Sequence, residues 1–231
     1  MSTATGKWVW LAVLVVLLLA PFIGLYPVFM MKALCYAIFA CAFNLLLGYT
    51  GLLSFGHAAF LGAAAYATGW LVRTAGWSPE LGVLAGTAVA AAIGLGVGLL
   101  AIRRHGIYFA MITLALAQMV YFVCLQAPFT GGEDGLQGVP RGNLFGIIPL
   151  ASDVTMYFVV LAVFVSVFAL IVRIVHSPFG QVLKAIRENE PRAISLGYDV
   201  DRYKLLAFVL STGLAGLAGS LKTLVLGFAT L

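Results

Sequence analysis

Residues 177–204 read SPFGQVLKAIRENEPRAISLGYDVDRYK, the one long polar segment in a chain whose neighbouring stretches are apolar. Lys184, Arg187, Arg192, Arg202 and Lys204 stand here beside Glu188, Glu190, Asp199 and Asp201. Within the segment Val182, Ala185, Ile186, Ala193 and Ile194 recur at spacings close to a helical period. Pro191 interrupts that period, which predicts two short helical pieces in place of one long helix. Gly197 is placed to end the second piece. A short amphipathic helix between two membrane spans is suited to lie at the interface and touch a soluble partner. The alternative is a solvated connector that merely joins the spans.

Outward from this segment the composition becomes that of a membrane protein. Of 231 residues, 63% are hydrophobic and 9% charged, and mean hydropathy is +1.08. A soluble domain carries about 25% charged residues, so the chain reads as all-α and polytopic. Its net charge of +5 forms no basic stripe clear of the spans, which argues against nucleic acid as a partner. Membrane orientation accounts for it better. Cys35, Cys41 and Cys124 lie in apolar runs without metal-like spacing and read as small buried hydrophobes.

About seven crossings are predicted. Trp8–Met31 is the first; it is too long for a signal-peptide core and lacks a small-residue cleavage site. Pro21 and Pro27 kink it or mark its outer end. Ala33–Leu47 is the second. The stretch Gly48–His57, GYTGLLSFGH, then leads straight into a third run, Ala58–Val72. Here Gly48, Gly51, Ser54, Gly56 and His57 make either a tight turn or a discontinuous segment whose free backbone groups face a transported solute. His57 alone reads as a hydrogen-bonded structural residue in preference to a ligand. The run Leu81–Ile102 carries Gly82, Gly86, Ala90, Gly94 and Gly98 in steps of four, a packing ladder for a close neighbour. Gly106–Ala127 contains Gln118, expected to bond a neighbouring helix. Residues 128–153 form a long Gly- and Pro-rich connection suited to packing on the outer face. Val154–Val175 and Leu205–Val225 are the last two runs.

With a cytoplasmic N-terminus, the inside receives Lys7, Arg103, Arg104, Arg173, Lys184, Arg187, Arg192, Arg202 and Lys204. The outside receives only Lys32, Arg73, Arg141 and Lys222. The bias of nine to four favours this orientation and puts residues 176–204 in the cytoplasm.

Three ordered blocks resemble the permease subunits of branched-chain amino acid ABC transporters: AIRENEPRAISLGYDVDRYKLLAF, GYTGLLSFGHAAFLGAAAY from Gly48 to Tyr66, and TGGEDGLQGVP from Thr130 to Pro140. The first is similar to the family's cytoplasmic coupling loop, the version of the E-A-A…G loop that docks on the ATPase subunit. Glu190, Ala193 and Gly197 fall at matching positions, while Pro191 and Arg192 depart from the double-alanine form. The resemblance implies a coupling loop over 176–204, with Arg187, Glu188, Glu190, Ala193 and Gly197 as contact or hinge residues. It implies a single permease domain over 1–231, lacking C-terminal spans because family members continue beyond the last apolar run. It further implies a multi-pass protein of the bacterial inner membrane that partners two ATP-binding cassette ATPases, a second homologous permease subunit and a periplasmic solute-binding protein.

None of the seven apolar runs contains Asp or Glu, which counts against an ion-coupled carrier. The octet Gly216–Thr223, GLAGSLKT, has Leu221 where a phosphate loop needs its second glycine, and it lies inside an apolar run. The expectation is therefore a chain that is not an enzyme and holds no cofactor, with ATP bound by its partners. The implied solutes are leucine, isoleucine and valine. The rivals are an importer of urea or short amides and a passive channel with a regulatory loop.

Overall fold

The computed structural model describes residues 10, 14–22, 24, 26–104, 106–144, 146 and 148–230. They form a bundle of helices: α1 (Pro27–Thr50), α2 (His57–Arg73), α3 (Pro79–Ala101), α4 (Ile107–Gln126), α5 (Asp153–His176), the short α6 (Pro178–Glu188) and α7 (Glu190–Ser195), and α8 (Val200–Leu226). Proline opens α1, α3 and α6, where its missing N–H costs nothing and its fixed φ suits the first turn.

Five of the helices, α1, α3, α4, α5 and α8, are long and apolar enough to cross a membrane. The protein is thus a multi-pass, all-α membrane protein. The expected count of about seven is not reached among the described residues. The predicted third run is helical as α2, but that helix has only 17 residues. The predicted first run, Trp8–Met31, lies partly outside the described residues, as does the N-terminus whose orientation was predicted. What is described of it includes helical residues 14–19 and a 3₁₀ turn, Ala20–Phe22. The boundary between the first two runs falls at Pro27, not at Lys32, which lies inside α1. A single lysine can remain in a helix near the membrane edge, whereas a proline at the first helical position sets a start.

The core is organised on α8, the most thoroughly buried of the five, which packs against α1, α2 and α3. The predicted ladder on α3 is what lets these backbones approach. A methyl added at Gly94 would strike Thr212 of α8, and one at Gly86 would strike Thr68 of α2 and Ser220 of α8. The Thr68 hydroxyl lies 3.0 Å from the Gly82 carbonyl and 2.8 Å from Ser220 Oγ, so small residues and interhelical hydrogen bonds act at one place. Gln118, expected to bond a neighbour, is on the exposed side of α4.

The connection before α5 folds onto the end of the bundle where α8 finishes. Its strand β1 (Leu136–Gln137) pairs antiparallel with β4 (Phe228–Ala229), while β2 (Asn143–Leu144) pairs with β3 (Ile148–Pro149). Arg141 donates to Asp153 at 2.6 Å and to the Val225 carbonyl at 3.0 Å. The guanidinium thereby caps the carbonyl end of α8. The polar segment 177–199 lies at the opposite end, where α8 begins.

Candidate coupling unit and broken helix

The polar segment is a compact unit with its own small core. Ser177, Asn189 and Asp199 are the N-caps of α6, α7 and α8, accepting from the backbone N–H groups of Gly180, Arg192 and Arg202. Two short helical pieces are present, as the interrupted period implied, but the interruption is at Asn189. Its extended backbone, φ −156° and ψ 94°, ends α6, and its side chain starts α7. Pro191 belongs to the first turn of α7, a position that proline tolerates. Ile186, Ala193 and Val200 are buried against one another, with Val182 and Tyr203 at the edge. Phe179 stacks on Tyr203 at 5.7 Å between centroids.

Gly197 closes α7 with φ +86°, its N–H donating to the Ile194 carbonyl and the Tyr198 N–H to the Ala193 carbonyl. Ala193 faces inward, and Glu188 faces out. Beyond them Ile194 and Leu196 are 58% and 67% exposed, and Tyr198 is exposed as well. These are exposed apolar side chains on a unit that is otherwise polar outside and packed within.

Two tethers hold this unit to the bundle. Arg187 of α6 donates to the Gly48 carbonyl near the end of α1, and the Lys184 ammonium lies 5.7 Å from the Tyr49 ring centroid. Both place positive charge at the carbonyl end of a helix, where it is favoured. The second tether is an ion pair: Lys204 Nζ of α8 lies 2.7 Å from Glu190 Oε1 of α7. Arg187 thus reaches α1, which ends at the break of residues 51–56, and Glu190 reaches α8, which packs beside it.

That break is not a surface turn. α1 ends at Thr50, and Gly51 follows with φ +74°. From there Leu52, Ser54 and Gly56 face inward while Gly51, Leu53 and Phe55 face outward, the alternation of an extended strand. Gly56 lies against Thr113 and Ala117 of α4, so close that an added methyl would strike the Thr113 carbonyl. His57, the first residue of α2, is then level with Phe39 and Phe43 of α1 and with Ser211 of α8. Ser211 lies about 16 Å along α8 from Val200 at 1.5 Å per residue. The chain has therefore returned into the bundle before α2 starts. Non-helical backbone at that depth needs protein or a wet cavity beside it; here Leu52, Ser54 and Gly56 are buried in the bundle.

The chemistry at the break follows from one serine proton. Ser211 Oγ donates to the Ala42 carbonyl at 2.5 Å, so at His57, 3.0 Å away, it accepts. Nε2 of His57 is then the protonated nitrogen and Nδ1 carries a lone pair. Among the described residues Nδ1 of His57 and Oγ of Ser54 are buried without a protein hydrogen-bond partner. Phe39, Phe43, Phe60 and Phe208 surround the imidazole. Among the described residues no group of histidine, cysteine or carboxylate side chains is arranged to hold a metal.

Lys204 and Ser211 were missed as site residues in the sequence, although a signal for both was present. Val200, Lys204, Ala207, Phe208 and Ser211 fall on one stripe of a helix, and all five are buried. A lysine on that stripe needs a counter-ion.

Residues 28–231 match the protein family described as branched-chain amino acid transport system, permease component. The chain is 30% identical over 258 residues to the high-affinity branched-chain amino acid transport system permease protein LivM of Salmonella typhimurium strain LT2; that match covers 98% of this chain and 59% of the relative. It is 30% identical over 221 residues to the protein of the same name from Escherichia coli K12, covering 84% of this chain and 51% of the relative. A probable LivM of Methanocaldococcus jannaschii is 25% identical over 127 residues, covering 51% of this chain and 34% of the relative. The chain thus spans little more than half the length of the first two. No solved structure matches it significantly. With nearly all of the bundle, the break and the polar segment inside the matched residues, the chain belongs to the permease-component family of branched-chain amino acid transport systems.

Proposed function

We propose that this chain is a membrane-spanning subunit of a bacterial inner-membrane ABC importer for leucine, isoleucine and valine. In this reading α6 and α7 dock on an ATPase subunit in the cytoplasm. The complete importer holds two ATPases, a second homologous permease and a periplasmic solute-binding protein. The chain itself binds no ATP; closure of the ATPases shifts the coupling unit, and the spans swing between outward- and inward-facing states. The observation that carries the reading is the coupling unit: a capped, self-packed pair of helices that presents Ile194, Leu196 and Tyr198 to water. The basic residues support its placement in the cytoplasm. Arg103, Arg104, Arg173, Lys184, Arg187, Arg192 and Arg202 gather at that end, against Lys32, Arg73, Arg141 and Lys222 at the other.

The solute path in this reading passes the break formed by Gly48, Gly51, Ser54, Gly56 and His57. The helices α3, α5 and α8 carry their acidic residues, Glu80, Asp153 and Asp201, in their first turns. A path without carboxylates deeper in the membrane suits a net-neutral zwitterion, since an unpaired charge there costs at least about 2–3 kcal/mol. The test is uptake of labelled leucine by the assembled transporter, with unlabelled valine, glutamate and urea as competitors. Competition by valine alone, with stable co-purification of an ATPase, supports the reading. Competition by urea and none from valine transfers the chain to the short-amide importers.

A further inference from the structure

The two tethers of the coupling unit differ in kind. Arg187 reaches the Gly48 carbonyl from an exposed position, where water competes for both partners. Lys204 is almost wholly enclosed: its side chain is 4% exposed, against 27% for Glu190. An enclosed ammonium with its carboxylate 2.7 Å away cannot exchange that partner for water. The pair therefore fixes the first turn of α7 to the first turns of α8. Seven residues further along the same face of α8, Ser211 holds both the Ala42 carbonyl of α1 and the imidazole that starts α2.

We propose that Lys204 is the positioning residue of the coupling unit, making α7 and α8 move as one body so that a displacement of α7 reaches the broken segment at His57 through Ser211. This rests on the importer reading given above. The proposal explains why a lysine occupies the buried stripe of α8, where leucine would fill the space without a counter-ion. It also assigns Glu190 a partner within the chain, leaving Ile194, Leu196 and Tyr198 as the faces turned outward.

The asymmetry of exposure selects the variant. Removing Glu190 would strand an enclosed ammonium, whereas Lys204→Met removes that charge, keeps all but the last atom of the side chain's length and leaves Glu190 in reach of water. In the assembled transporter, Lys204→Met should retain ATPase attachment and ATP hydrolysis while leucine uptake falls at least tenfold. Lys204→Arg should restore most of the uptake, and the exchange Glu190→Lys with Lys204→Glu should restore part of it. Amide hydrogen exchange over 190–197 reads the tether without transport, and should quicken at least tenfold in Lys204→Met. Normal uptake in Lys204→Met would overturn the proposal, as would a loss of uptake that merely follows lost protein or lost ATPase attachment. Unchanged hydrogen exchange would overturn it too. Faster exchange in a protein whose wild type takes up no leucine would leave the tether standing and remove the importer reading.

Discussion

A methyl group at Gly219 and one at Gly96 would meet opposite surroundings. At Gly219 it would be driven into the Leu61 carbonyl of α2, backbone against backbone, while at Gly96 nothing lies within 4 Å. The first cannot be relieved by turning a side chain, so α2 and α8 must part. Overpacking of this kind costs about 1–3 kcal/mol or more. At Gly96 the gain in helix propensity is about 0.5–1 kcal/mol. Gly219→Ala should therefore lower the thermal unfolding midpoint of the purified protein in detergent, and Gly96→Ala should hold or raise it. Equal midpoints would remove the close approach of α2 and α8. The sequence displayed the small-residue ladder on α3 but not which glycines matter on α8. Gly213, Gly216 and Gly219 look alike on the page. Only the structure separates Gly213, whose added methyl would make an ordinary contact with Ala91, from Gly219. Lys204 shows the same limit from another side. Its stripe was readable, yet the polar surroundings of 177–204 made a solvated lysine the natural expectation.

At the scale of elements, the two short helices of the polar segment were legible because their determinants are local. The caps Ser177, Asn189 and Asp199, the prolines at 178 and 191 and the glycine at 197 all act within four residues. The break after α1 was legible as a break and no further. Its depth depends on His57 meeting Ser211, 154 positions away, which no local pattern encodes. Gly197 offers a test of the local logic. Its φ of +86° disfavours any residue with a Cβ, yet an added Cβ would have open space around it. The penalty is one of backbone alone, roughly 1–2 kcal/mol for an ordinary residue and less for asparagine. Gly197→Asn should keep most leucine uptake and Gly197→Val should lose it, with both proteins reaching the membrane in similar amounts. Equal uptake by the two would remove the left-handed turn as the feature that matters.

Across the whole molecule, α8 is held at both ends, by Lys204 and Glu190 where it starts and by Arg141 and strand β1 where it stops. A rod so fastened ties the connection before α5 to the coupling unit on the opposite face of the bundle. This arrangement fixes which segments share a side without reference to charge counts. Residues 128–152 lie with the end of α8, and residues 177–199 lie with its start. In the proposed orientation the second group is the cytoplasmic one. Gln137 and Glu188 are both exposed, and each can carry a single cysteine once the unpaired Cys35, Cys41 and Cys124 are replaced by alanine. Those three lie within α1 and α4, so their removal costs packing but leaves both test sites untouched. An impermeant maleimide added to intact spheroplasts should label Gln137→Cys, while Glu188→Cys should label only after the membrane is opened. Labelling of Glu188→Cys alone from outside would invert the orientation and keep the fold. Labelling of both from outside would break the fold itself, because α8 could then not run from one face of the membrane to the other.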